Sequence, residues 1–247
     1  MNRFRYFGLS DCGRVRSHNE DNWLILPARA LFLVADGMGG AAGGELAARM
    51  VVEELPRLLA EKRQDDQEIS PTALTAPVSK ALVELSKRVH DYATAHPEFA
   101  GMGSTVVLAL IQDKAAIIAH MGDSRAYLWR QGRLEQVTKD HSLVQYLVDL
   151  GEITPEEAGQ HPARHQITRC IGMSLEPLPE VKVIDLAAGD RLLLCSDGLT
   201  GMVAAASIAA ILAGGQDPEG ACRDLVAAAN EAGGRDNITT VVVDVNY

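Results

Sequence analysis

The sequence predicts an α+β layered fold, a sandwich of two antiparallel sheets with helices on the outside. Three observations predict it. Short apolar runs stand at both ends of the 247-residue chain. Helical periodicity comes grouped in pairs between them, which is not the alternation of a βαβ fold. The central runs are joined by links too short for the crossover that a parallel pair needs.

The elements follow in order. Strands are expected at 6–10 (YFGLS), 22–26 (NWLIL) and 31–36 (LFLVAD). A helix follows in GGELAARMVVEEL, where Leu46, Met50, Val51 and Leu55 share one face, and Pro56 is expected to kink it or end it near Leu55. The polar stretch 61–70 reads as an exposed loop. A second amphipathic helix carries Leu74, Val78, Leu82, Leu85 and Val89 at helical spacing, with Pro77 placing its regular start near residue 76. From Gly103 the pattern turns to strands: STVVLALI, KAAIIAHM, SRAYLWR and, after the turn at 131–132, RLEQV. Such short links make these consecutive strands antiparallel neighbours. Residues 141–160 read as helical, with Thr154 as N-cap and Pro155 at the first position, and HPARHQITRCIGM as irregular. Strands return at EVKVIDL and DRLLLCS, helices at 205–213 and 218–231, and NITTVVVDV closes the fold.

Bulk properties narrow the function. Hydrophobic residues make up 47% of the chain and charged residues 23%, the balance of a soluble globular protein with a sizeable core. A formal net charge of -10 argues against nucleic acid as a substrate, since binding a phosphate backbone needs a basic footprint. No apolar run approaches the roughly 20 residues of a membrane span, and MNRFRYFGLS lacks the apolar core of a signal peptide. Cys12, Cys170, Cys195 and Cys222 are scattered without metal spacing, and read as reduced thiols of a cytoplasmic protein.

Four acidic motifs follow or precede apolar runs: Asp36-Gly37-Met38-Gly39-Gly40, Gly122-Asp123-Ser124-Arg125, Ser196-Asp197-Gly198 and Arg235-Asp236-Asn237. A carboxylate at the mouth of an apolar strand is costly unless it is solvated, paired or bound to a cation. One such motif is an ordinary turn. Four, with the pair Glu20-Asp21, suggest strand ends converging on one polyanionic pocket that needs a divalent metal. Aspartate is a hard ligand suited to Mg or Mn, and the glycines beside Asp36 and Asp197 let a backbone carbonyl serve as a further ligand. Two such cations roughly 3.5–4 Å apart activate water for in-line displacement at phosphorus. Arg16, four residues before Glu20, is the candidate fork for the remaining phosphate oxygens.

The chain resembles the metal-dependent protein phosphatases of the type 2C, or PPM, family, specifically their compact bacterial members. The resemblance rests on eight motifs in family order: Arg16-Ser-His-Asn-Glu-Asp-Asn22, Asp36-Gly-Met-Gly-Gly40, Gly103-Ser-Thr-Val-Val107, Gly122-Asp-Ser-Arg-Ala-Tyr127, Thr138-Lys-Asp-His-Ser142, Ile167-Thr-Arg-Cys-Ile-Gly172, Ser196-Asp-Gly-Leu199 and Arg235-Asp-Asn-Ile-Thr239. It implies a four-layer α/β/β/α sandwich over residues 1–247, a single catalytic domain with a flap at about 142–172. It implies hydrolysis of phosphoserine and phosphothreonine in proteins by direct attack of a metal-bridging hydroxide, reversing bacterial serine/threonine kinase signalling. By resemblance, Asp36 bridges two Mn2+ or Mg2+ ions and the Gly37 carbonyl joins one of them. Asp197 and Asp236 complete the other, Asp123 with Asp197 holds a third, labile ion, and Glu20 and Asp21 hold metal-bound waters. Arg16 binds the substrate phosphate. Phosphorylated proteins and a kinase are the implied partners, with no nucleic acid and no membrane.

One departure stands out. The better-known eukaryotic members have a histidine, the proposed leaving-group acid, where this chain, like many bacterial members, has Met38, and a thioether donates no proton. Leaving-group protonation then falls to a metal-bound water or to another residue, of which His18 is one candidate, or matters less; the other six histidines read as structural. No cysteine lies in a CxxxxxR loop, which argues against thiolate chemistry. Two alternatives accompany the phosphatase reading: a non-catalytic phosphoprotein-binding scaffold on the same fold, and a phosphatase for small metabolites.

Overall fold

The computed structural model describes residues 3–62, 70–173 and 177–246. Strands β1 (Phe4–Asp11), β7 (Arg125–Arg130), β8 (Arg133–Gln136), β10 (Arg191–Cys195) and β11 (Ile238–Val245) form one sheet, in the order β1-β11-β10-β7-β8. The other sheet runs β2 (Asp21–Leu26), β3 (Leu31–Met38), β5 (Val106–Gln112), β6 (Ala115–Met121) and β9 (Glu180–Asp185), with the two-residue β4 (Gly103–Ser104) paired to the end of β3. Every pairing is antiparallel.

Period-two alternation assigns each strand's residues to a layer. On β3, Phe32 and Val34 face the space between the sheets, where they meet Leu192, Leu194, Val241 and Val243. Leu31, Leu33 and Ala35 point the other way, against helices α1 (Ala41–Lys62) and α2 (Thr75–Ala95). On the opposite sheet, Leu193, Cys195 and Val242 pack under α6 (Ala205–Ala213) and α7 (Pro218–Glu231). Three apolar interlayers thus make the expected α/β/β/α sandwich.

Two expectations are corrected. Helix α1 does not stop near Leu55 but continues through Pro56 to Lys62. Pro56 lacks the N–H that would bond back to Val52, but Leu58 and Leu59 beyond it are buried in the helix–sheet layer, and this burial offsets the lost bond. The loop expected at 61–70 therefore begins later, and its residues 63–69 lie outside the described residues. The second correction concerns β6 and β7, which a link of three residues joins without pairing them. Strand β6 belongs to one sheet and β7 to the other, so Gly122-Asp123-Ser124 crosses the sandwich. The short-link rule holds for the flanking hairpins, β5 with β6 and β7 with β8.

The helical reading of 141–160 resolves into α3 (Leu143–Asp149) and α4 (Pro155–Ala158). Thr154 and Glu157 form a reciprocal capping box, with Pro155 in the first turn. A four-residue helix after β10, α5 (Asp197–Thr200), escaped the sequence reading. Cys12, Cys170, Cys195 and Cys222 are free thiols. Among the described residues no helix is long and apolar enough to cross a membrane.

Candidate active site

Both sheets deliver their acidic motifs to the same end of the sandwich. Asp36 follows the buried run of β3 and faces Asp21 across the β2–β3 ladder. Asp123 sits on the β6-to-β7 crossing. Asp197 opens α5 directly after β10, and Asp236 stands two residues before β11. A cleft of about 980 Å³ gathers Asp36, Asp123, Asp197, Asp236, Glu20, Gly37 and Arg16 on its walls. Asp21 lies beneath them, 9% exposed, its Oδ2 accepting hydrogen bonds from the Ser196 and Thr239 hydroxyls, both at 2.7 Å. All eight residues singled out from the sequence therefore meet at one place.

The electrostatics of this cluster are unfavourable as it stands. Burial pushes the Asp21 and Asp123 carboxyls up to about 7, and neighbouring carboxylates, Asp197 first in each case, add to the push. Asp36 is held well above the usual range by burial, then by Asp21, Asp197, Asp123 and Asp236. Burial, then Asp236, raises Asp197, and burial raises Glu20. Oδ1 of Asp21 and Oδ1 of Asp123 are buried with no hydrogen-bond partner. Buried oxygens without donors are rare in folded proteins, and here they are hard ligands in an electron-rich cleft. The residues present fit divalent cations.

A polar framework fixes these groups. The Asp36 N–H donates to Thr105 Oγ1 at 3.0 Å, the Thr105 N–H returns a bond to the Asp36 carbonyl at 2.8 Å, and Thr105 Oγ1 lies 2.6 Å from Ser124 Oγ. Asn237 joins the N-terminal loop to β11: its Oδ1 accepts the Glu20 N–H at 2.9 Å and its Nδ2 donates to the His18 and Cys12 carbonyls. Gly37 must be glycine, because a Cβ there would stand 2.0 Å from the Gly44 carbonyl oxygen at the start of α1. At the rim, Arg16 is half exposed and its Nη2 donates to Asp236 Oδ2 at 2.8 Å. Arg125 forks onto Asp140 through Nε at 2.9 Å and Nη2 at 2.7 Å.

Sequence reading missed Asn237, Thr105 and Ser124 as structural members of the site, although all three lie within quoted motifs. It also read His165 as structural, whereas His165 and Arg164 are among the residues that line the cleft, and His165 opposes the upward push on Asp197. His18, the candidate acid, is exposed, bonds Ser17 Oγ through Nδ1 and is not among the cleft-lining residues. His120, His141 and Glu180 come within ligand reach of one another. The two imidazoles are stacked, with centroids 4.4 Å apart and planes 16° from parallel. Ring-nitrogen lone pairs lie in the ring plane, so one ion cannot serve both, and the trio is not a chelate.

Two packed antiparallel sheets, opening at one end on a crowd of carboxylates with an arginine at the rim, suit a metal-dependent phosphoester hydrolase. Residues 11–230 match the family model described as Protein phosphatase 2C, and the chain belongs to that family. It is 35% identical to the serine/threonine phosphatase stp of Listeria innocua serovar 6a, over 96% of this chain and 94% of that protein. It is 40% identical to the serine/threonine protein phosphatase PstP of Mycobacterium tuberculosis, over 98% of this chain but 45% of that longer protein. Among solved structures, a bacterial serine phosphatase superposes with a TM-score of 0.90 at 33% identity, covering 98% of each chain. The catalytic domain of PstP in complex with two manganese ions superposes with a TM-score of 0.81 at 37% identity, covering 99% of each chain. The chain is thus a protein serine/threonine phosphatase by family.

Proposed function

We propose that residues 1–247 act as one catalytic domain that removes phosphate from phosphoserine and phosphothreonine of proteins, using Mn2+ or Mg2+. The observation that carries this reading is the convergence of five aspartates from both sheets on one cleft, two of them with a buried, partnerless oxygen. Asp36 would hold two cations, with the Gly37 carbonyl on one and Asp197 and Asp236 on the other. Asp123 with Asp197 would hold a third. When bound, the cations supply an acidified water and positive charge for the phosphoryl oxygens.

The protein's own groups do the rest. Glu20 and Asp21 accept hydrogen bonds from water and orient it, Asp21 from a position already locked by Ser196 and Thr239. The Arg16 guanidinium, on the rim above Asp236, takes the outer phosphate oxygens as a two-toothed fork. Met38 gives the leaving alcohol no proton. Segment 142–172 forms the flap wall through Ser142, Val144, Val148, Arg164 and His165. The physiological reading is reversal of bacterial serine/threonine kinase signalling in the cytoplasm.

The decisive measurement is phosphate release from a phosphothreonine peptide, with and without Mn2+, with Asp36→Asn as control. Release that needs both Mn2+ and Asp36 supports the reading. No release from folded, Mn2+-loaded protein would sink it, and turnover of phosphorylated metabolites in place of the peptide would redirect it to small molecules.

A further inference from the structure

We propose that His141 is a positioning residue that locks the Asp123 turn to the base of the flap, so that the third cation site and the flap wall are set together. The proposal rests on the assignment of Asp123 to a cation.

The turn needs an external lock. Gly122-Asp123-Ser124 leaves one sheet and enters the other, so neither ladder holds it, and Gly122 sits at φ +111. His141 grips it from both sides: its N–H donates to the Gly122 carbonyl at 2.9 Å, and its Nδ1 accepts the Gly122 N–H at 3.3 Å. The following carboxylate is thereby aimed into the cleft with its Oδ1 left partnerless.

The same residue begins the flap. The His141 carbonyl accepts the Thr168 N–H at 2.8 Å, the Leu143 N–H donates to the Gln166 carbonyl at 2.8 Å, and Ser142 bridges Ile167. Ser142 then caps α3 through Oγ, which accepts the Gln145 N–H. The two arms of the flap are therefore clasped at residues 141–143 and 166–168. His141 is only 6% exposed and its ring is stacked on His120, whose Nε2 meets the Lys139 carbonyl at 2.7 Å. The imidazole plane, and with it the direction of Nδ1, is fixed by β6. Next to it, Asp140 receives the Arg125 fork from the far side of the same turn. These bonds join the flap base to the Asp123 turn through residues 140–142, and a separate tie runs from Ile171 through Ser104 and Thr105 to Ser124.

The experiment compares His141→Asn with His141→Gln, and uses Asp123→Asn as a reference. Asparagine Oδ1 is the same number of bonds from Cα as histidine Nδ1 and can accept the Gly122 N–H; glutamine carries its amide one bond further out. Mn2+ titrations followed by electron paramagnetic resonance count the bound ions, and peptide kinetics separate kcat from KM. Losing one hydrogen bond at the turn corresponds to roughly a tenfold weaker third Mn2+ site and roughly a tenfold higher KM in His141→Gln, while His141→Asn stays within about twofold of the parent on both. If Asp123→Asn binds as many Mn2+ ions as the parent, the assignment of Asp123 fails whatever His141 does. If Asp123→Asn loses an ion but His141→Gln titrates like the parent, or His141→Asn behaves like His141→Gln, the role proposed for His141 is overturned.

Discussion

Strands β10 and β11 carry aspartates at both of their ends, and the two ends treat them oppositely. At one end Asp190 and Asp244 are buried, 2% and 6% exposed, and each is met by an arginine fork. Arg130 Nε bonds Asp190 at 2.7 Å, and Arg191 reaches both oxygens of Asp244 at 2.6 and 3.1 Å. At the other end Asp197 and Asp236 face Asp36, Asp123 and Asp21; the Arg125 fork there is taken by Asp140, and the half-exposed Arg16 bonds Asp236 alone among these acids. A buried carboxylate in both places, Asp190 and Asp244 at the first end and Asp21 and Asp123 at the second, costs the fold its hydration. The arginines return that cost within the chain at the first end. At the second it is left for a ligand to settle, and this is what separates a structural acid from a site.

The comparison can be broken most forcefully at the cleft. Asp36→Asn is expected to lower kcat at least about a thousandfold, because cations there supply several kcal/mol of transition-state charge stabilisation; phosphate release and Mn2+ binding measured on the same preparation test it. Near-parental turnover with metal bound would end the two-metal reading. At the paired end the damage should be to stability alone. Arg191→Met leaves Asp244 with only the exposed Arg5, at 2.9 Å from Oδ2, and removes donors from the Leu212 and Gln216 carbonyls, so denaturant unfolding should show a loss of about 3 kcal/mol with unchanged kcat per folded molecule. A fall in kcat without loss of stability would erase the distinction between the ends.

Acidity gives a third test. Burial holds the Asp21 and Asp123 carboxyls up at about 7 in the folded chain, above the ordinary carboxylate range. Raised carboxyls make the folded state bind more protons than the unfolded one, so their contribution is complete below about 4 and disappears as the pH climbs to about 7. The chelator-treated protein should accordingly lose thermal stability over that window, and saturating Mn2+ should flatten the loss. A metal-free protein that instead gains stability over that interval contradicts the electrostatics described for the cleft. The smallest effect is expected from Arg16→Ala, a roughly tenfold rise in KM with little change in kcat if the fork binds ground and transition states equally. A change confined to kcat would move Arg16 into the transition state.

Much of this site was legible because its chemistry lies in contiguous motifs at strand ends, where an acidic residue interrupts an apolar run. Asp36, Asp123, Asp197 and Asp236 announce themselves in that way. Asn237 does not: its importance comes from reaching back to Cys12, His18 and Glu20, more than 200 positions away in sequence. The crossing at Asp123 was hidden for a similar reason. A three-residue link is compatible with a hairpin or with a change of sheet, and only the partners of β6 and β7 decide between them. Pro56 was misjudged because local backbone rules cannot weigh the burial of Leu58 and Leu59. His165 was read as structural because its only signal is its place on the cleft wall, which no spacing encodes.

The Arg16–Asp236 contact has a consequence for how the site is assembled. The guanidinium and the carboxylate pair at 2.8 Å. On the roles proposed for them, a cation that took Asp236 would free Arg16 for phosphate, and phosphate that took Arg16 would free Asp236 for a cation. The two bindings would then be thermodynamically linked, and linkage is reciprocal: whatever factor Mn2+ adds to phosphate affinity, phosphate must add to Mn2+ affinity. The surface pair would act as a shared placeholder through which the two ligands recruit one another.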